Sequence, residues 1–214
     1  MFDTGINNQI LLAIVSIISN FISALSGGGA GLIQLPALLF FGLPFSKALA
    51  THKVASVALG LGASIPHLKN NNLKREYVFL ILASGIPGVL IGAYSASLLP
   101  SKFSTSVLGL LTLCLSFYSI KNNDIGCSSQ PILISKIRLL IGSFGLLLIG
   151  FLNGYLSSGT GLFVTFWMIT VFNLPFSVSI AYTLILVGIF WNGIGALSLG
   201  LSGNIVWSYI PVLI

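Results

Sequence analysis

Few side chains in this sequence could do chemistry, and those few are nearly all cationic, imidazole or small hydroxyl. Asp3, Glu76 and Asp124 are the only carboxylates, and each lies at a terminus or between apolar runs. A proton pump or cation carrier usually holds its ion with a buried Asp or Glu, and an aspartyl protease needs two, so these chemistries are excluded. Two histidines and two cysteines, Cys114 and Cys127, at unrelated spacings make no three- or four-ligand metal set. No cofactor is expected.

Ser64 and His67, three apart, could share a helical face as a hydrolase pair. The neighbouring Pro66 and Lys69 favour a plainer reading, a helix end near the membrane surface. Lys53 is different. It lies seven residues into an apolar run that starts at Ser46, about 10 Å along a helix axis, beside Thr51 and His52. A lysine at that depth either serves function or snorkels to interfacial water, and the sequence leaves both open.

The elements that must position these groups are membrane spans. Of 214 residues only 6% are charged, against about 25% in soluble domains. Another 56% are hydrophobic, before 24 glycines are counted. Such a chain is an integral membrane protein with the lipid bilayer as its partner. Its net charge of +6 is scattered between apolar runs and makes no basic stripe for nucleic acid. The first ten residues lack a basic stretch, so 6–25 is read as a retained span rather than a cleaved leader.

Further apolar runs follow at 32–41, 46–65, 77–99, 103–120, 133–156, 162–172, 176–201 and 205–214. The runs 32–41 and 162–172 rise only about 15 Å as helices, half the hydrocarbon thickness. Each is re-entrant, a broken helix, or the short arm of a hairpin. Such backbone is tolerated at membrane depth only beside protein or a wet cavity.

Both short runs follow glycine-rich breaks, and this reveals an internal repeat. Gly28-Gly29-Ala30-Gly31-Leu32 lies over Ser158-Gly159-Thr160-Gly161-Leu162 at an offset of 130, and Leu43-Pro44-Phe45-Ser46 over Leu174-Pro175-Phe176-Ser177 at 131. Asn72-Leu73 falls on Asn204-Ile205. The organisation expected is an all-α, polytopic transmembrane helical bundle with two homologous repeats and glycine-broken short helices. The first repeat spans 1–120, a cytoplasmic linker 121–135, and an incomplete second repeat 136–214. Two spans that follow Asn72 have no counterpart after Asn204, so a C-terminal truncation is expected. Lys69, Lys74, Arg75, Lys121, Lys136 and Arg138 fall in two loops separated by two crossings and mark the cytoplasmic face. Parallel or inverted repeats, and the side of the N-terminus, are left open.

A glycine break that restarts a helix leaves backbone N–H groups unpaired at a positive dipole end, where anions bind. Paired breaks in two halves mark a transporter's binding site, although small residues also let helices pack closely. The expected site holds a small anion at the amides of Gly28, Gly29, Gly31, Gly159 and Gly161. Thr51 and Thr160 would donate hydroxyl bonds, Lys53 the compensating charge, and His52 a proton-coupling group.

The run from Gly28 to Leu39, with Gly42-Leu43-Pro44 and the stretch Ala48-Leu49-Ala50-Thr51-His52-Lys53-Val54-Ala55-Ser56, resembles the signature of the TauE/SafE sulfite-exporter family of membrane permeases. Gly159-Thr160-Gly161 and Gly203-Asn204-Ile205 echo its second-half motif. The chain departs from the family pattern at His52, where Asn is usual, and at Val206, where an acidic residue is usual. The family also continues beyond Ile214. The resemblance implies an inner-membrane, multi-pass permease for small sulfur-containing or organic anions such as sulfite, sulfonates or carboxylates, and no enzyme. The alternatives are a drug or metabolite exporter of another class and an inactive truncated paralogue. Self-association into a homo-oligomer is left open.

Overall fold

A computed structural model describes residues 6–69, 73–121 and 135–214. Asp3, Asn72, Asp124, Cys127 and nearly all of the expected linker lie outside the described residues. The described chain is helical throughout: α1 (Ile6–Ser26), α2 (Gly31–Phe40), α3 (Phe45–Lys69), α4 (Arg75–Leu98), α5 (Ser101–Lys121), α6 (Lys136–Leu156), α7 (Thr160–Phe172), α8 (Phe176–Tyr182), a π-helix (Thr183–Trp191), α9 (Asn192–Gly200), a short 3-10 turn (Trp207–Tyr209) and α10 (Ile210–Leu213). Among the described residues, five stretches are long and apolar enough to cross a membrane: Asn8–Ser26, Phe45–His67, Arg75–Leu98, Lys136–Leu156 and Phe176–Gly200.

The helices are sorted for lipid rather than for water. On α1, Leu12, Ser16, Ser19 and Ser23 are buried, whereas Ile10, Ile14, Ile17, Ile18 and Phe21 are about half or more exposed. One helical face thus carries hydroxyls inward and the other branched and aromatic chains outward, the reverse of a surface helix in water. Phe79, Phe117, Ile137, Leu140 and Phe144 make the same outward belt elsewhere.

The two Leu-Pro-Phe-Ser motifs do one local job. Pro44 O accepts the first α-type bond of α3 from Ala48 N (2.9 Å), and Pro175 O accepts that of α8 from Ser179 N (2.9 Å). Proline cannot extend a helix backwards, and its fixed φ directs the chain into the first turn. Pro66 does not end α3, which runs three residues further to Lys69. Only one backbone donor is lost there, so close to the terminus that little of the ladder remains to break.

The tightest seam joins α4 to α6 through glycine. A Cβ on Gly88 would strike Leu147 O, one on Gly92 Phe151 O, one on Gly150 Gly85 O, and one on Gly154 Val89 O. Small residues let two backbones close up where lipid offers no hydrophobic drive for association. Gly92→Ala is therefore expected to destabilise the bundle by about 1–3 kcal/mol, the cost of overpacking. Thermal unfolding in detergent checks this, with Gly109→Ala as the silent control, since nothing lies within 4 Å of a Cβ there.

The expected single span 176–201 is continuous, but its middle is a nine-residue π-helix between α8 and α9. π geometry inside membrane helices is uncommon and concentrates at functional sites. Here it brings Leu184, Val187 and Gly188 to the wall of a central cavity.

Candidate functional site

The two glycine breaks meet. A Cβ on Gly28 would lie 2.8 Å from Gly161 Cα, and one on Gly161 would lie 3.0 Å from Gly28 Cα. Gly27, Gly28 and Gly29 have φ of 79°, 138° and 107°, a run that side-chain-bearing residues rarely adopt. This explains three glycines in succession better than helix packing does. Around the contact lies a cavity of about 40 Å³, room for a few waters or a small oxyanion. Gly28, Gly29, Gly31, His52, Ser56, Asn153, Ser157, Thr160, Gly161, Thr183 and Asn192 are on its wall.

Helices α2 and α7 both start here, and their first N–H groups precede the first intrahelical bond of each. In the first break Leu32 N donates to Gly29 O and Gln34 N to Ala30 O, both at 2.9 Å. In the second, Phe163 N donates to Gly159 O at 3.3 Å. The amides of Gly29, Gly31 and Gly161 thus stand at the positive ends of the two short helices.

His52 is held by both ring nitrogens. Nδ1 lies 2.9 Å from Gln34 Oε1 and Nε2 lies 3.2 Å from Ser56 Oγ. Gln34 Nε2 donates to Asn20 Oδ1 (2.8 Å) and Asn20 Nδ2 to Leu213 O (2.9 Å). With its amide turned this way, Gln34 can only accept from the ring. The neutral imidazole therefore carries its proton on Nδ1 and leaves Nε2 to accept from Ser56. The pyrrole-free edge abuts Gly31, where a Cβ would lie 2.7 Å from Nε2.

Lys53 does not snorkel. Its side chain is fully buried (0% exposed). Nζ donates to Asn153 O (2.8 Å), Asn153 Oδ1 (3.1 Å), Asn192 Oδ1 (3.4 Å) and Ser157 Oγ (3.5 Å). All four acceptors are neutral, and Asn153, Ser157 and Asn192 also face the cavity.

Of the nine residues expected at the site, six line the cavity: Gly28, Gly29, Gly31, His52, Thr160 and Gly161. Lys53 stands just behind its polar wall. Gly159 is the left-handed N-cap of α7 (φ 70°) and shapes the turn. Three of the expected donors have partners within the protein. Gly28 N–H is already donated to Ser23 O (2.9 Å). The Thr160 hydroxyl donates to Ser157 O (2.9 Å) while accepting from Asn153 Nδ2 (2.9 Å). Thr51 turns away, donating to Lys47 O (2.7 Å) and accepting from Val206 N (3.0 Å), where it fastens the turn after α9. Ser64 donates to Leu61 O of its own helix (2.9 Å), an ordinary structural bond for a buried helix serine.

The sequence reading missed Gln34, Ser56, Asn153, Ser157 and Asn192. A signal existed for the asparagines, since an amide within an otherwise apolar span needs a partner just as an ionisable group does.

The pattern of the sulfite exporter TauE/SafE family matches residues 12–214. The chain is similar to a probable membrane transporter protein of Haemophilus influenzae, 31% identical over 178 residues that cover 81% of this chain and 68% of that protein. It is also similar to the probable membrane transporter protein ORF9 of a Sinorhizobium species, 26% identical over 97% of this chain and 78% of the relative. The probable membrane transporter protein YfcA of Escherichia coli K12 is 23% identical over 92% of this chain and 72% of the relative. No solved structure matches. Both glycine breaks, the Lys53 cluster and all five candidate spans fall within or overlap the matched stretch, and the chain belongs to the sulfite exporter TauE/SafE family of multi-pass membrane transporters.

Proposed function

We propose that this protein carries a small anion, a sulfur oxyanion or a short organosulfonate or carboxylate, through the cavity between its two glycine breaks. One observation carries the reading: the buried Lys53 ammonium is surrounded only by neutral oxygens. Glu76, the one carboxylate among the described residues, sits exposed at the start of α4. An uncompensated buried cation beside two positive helix ends is a field that favours an anion and opposes a cation.

In this reading the amides of Gly29, Gly31 and Gly161 meet the anion's oxygens, and Gly28 and Gly159 shape the breaks. Thr160 orients Asn153, and Lys53 supplies charge from behind. His52 takes a second proton on Nε2 and couples passage to protons. Thr51 acts only through the turn at Val206. The two halves, 1–120 and 136–214, are taken as repeats that each contribute one break.

Flux in proteoliposomes tests this. Sulfite and short sulfonates or carboxylates should cross electrogenically, while cationic and neutral solutes of similar size should not. Equal flux of a neutral analogue would reject the anion assignment.

A further inference from the structure

Four oxygens converge on Lys53 Nζ: Asn153 O, Asn153 Oδ1, Asn192 Oδ1 and Ser157 Oγ, at 2.8 to 3.5 Å. An ammonium has three protons to give, so this set is larger than one lysine requires. The oxygens are not there by accident of packing. Asn153 Nδ2 donates to Thr160 Oγ1 and to Asn192 Oδ1 (3.2 Å), which turns Asn153 Oδ1 toward the cation. Ser157 Oγ gives its own proton to Asn192 Oδ1 (3.3 Å), leaving its lone pairs for Nζ.

Asn153 O belongs to the last turn of α6, the negative end of that helix, and accepts also from Ser157 N (2.9 Å). Carbonyl and amide oxygens at a helix C-terminal end are what a desolvated monovalent cation takes in place of water. On the far side Gly195 clears the lysine stem, since a Cβ there would lie 2.9 Å from both Cδ and Cε.

We propose that these four oxygens form a seat for a monovalent cation of potassium or ammonium size, filled in this chain by the tethered ammonium of Lys53. The carrier then needs no diffusible cation to balance its passenger. The seat is wide for sodium, which is close in size to calcium and so calls for oxygens about 2.3–2.6 Å away. Because Asn153, Ser157 and Asn192 also line the cavity, a free ion reaches the seat from there once the tether is removed.

The test is thermal unfolding of purified wild type, Lys53→Ala and Lys53→Met in equal concentrations of choline, sodium, potassium, ammonium and methylammonium chloride. Lys53→Ala should gain about 3 °C or more in potassium, ammonium or methylammonium over choline, and less in sodium. Wild type should show no such preference, and neither should Lys53→Met, whose thioether fills the seat. Identical melting of a folded Lys53→Ala in every salt overturns the proposal, as does an equal gain in wild type. If Lys53→Ala is unfolded in choline, Lys53→Ser is measured alongside it. Recovery of either in potassium or ammonium supports the seat, and failure of both in every salt overturns it. No passenger enters the assay, so this result and the fate of the anion reading are separable.

Discussion

On the anion reading proposed above, Lys53→Met protein should insert, purify and melt close to wild type, yet carry sulfite at roughly one-thirtieth to one five-thousandth of its rate, the range set by losing one partner of a buried charge interaction worth about 2–5 kcal/mol. The fold survives because most of the groups left behind keep a partner, and only Asn153 Oδ1 loses the donor it has here, a cost of about 1–3 kcal/mol. Asn192 Oδ1 keeps Asn153 Nδ2 and Ser157 Oγ, and Asn153 O keeps Ser157 N. Replacing a buried ion by an apolar chain of similar length is often neutral or stabilising when no opposite charge is orphaned, and none is present here. Sulfite flux normalised to reconstituted protein decides the matter. Flux within a few-fold of wild type in a well-folded Lys53→Met would remove Lys53 from transport.

Gly28→Ala should destabilise the fold strongly and lower flux with it. Two penalties coincide at that position. Its φ of 138° is strained for any L side chain, a cost of about 1–3 kcal/mol. The new Cβ would also lie 2.8 Å from Gly161 Cα and 3.0 Å from Gly161 C, backbone atoms that cannot swing aside. Overpacking adds about 1–3 kcal/mol. Together they exceed what a marginal bundle tolerates, and both stability and flux should fall. Gly62→Ala is the control, a helical glycine with nothing within 4 Å of its Cβ, where alanine should be neutral or mildly stabilising. If the two variants melt alike, the breaks do not touch in the way described.

The fault lines of the chain were legible from residue order. Hydropathy located the helices to within a few residues because a lipid-exposed helix must be apolar over its length. The glycine runs announced the two short helices: the first break holds three successive positive φ values, at Gly27, Gly28 and Gly29, and the second a single left-handed glycine, Gly159, conformations that side-chain-bearing residues adopt only at a cost. The scarcity of carboxylates, visible from composition, already pointed to the electrical character of the interior.

Which way Lys53 points was not legible. A lysine two turns into a span can reach outward to water or inward to dipoles, and both conformations read identically as letters. Its acceptors come from residues 100 and 139 positions away, and no local pattern links them. The partner of Thr51 was hidden for the same reason, since His52 and Lys53 bond to the interior while the Thr51 hydroxyl meets Val206 N. In water, a polar face and an apolar face tell inside from outside. In lipid both surroundings are largely apolar, so hydropathy marks the spans, and only where a face carries several hydroxyls, as on α1, does it also mark the inward edge. Only the packed bundle, with Gly28 laid on Gly161 and two asparagine amides turned to one ammonium, settled that.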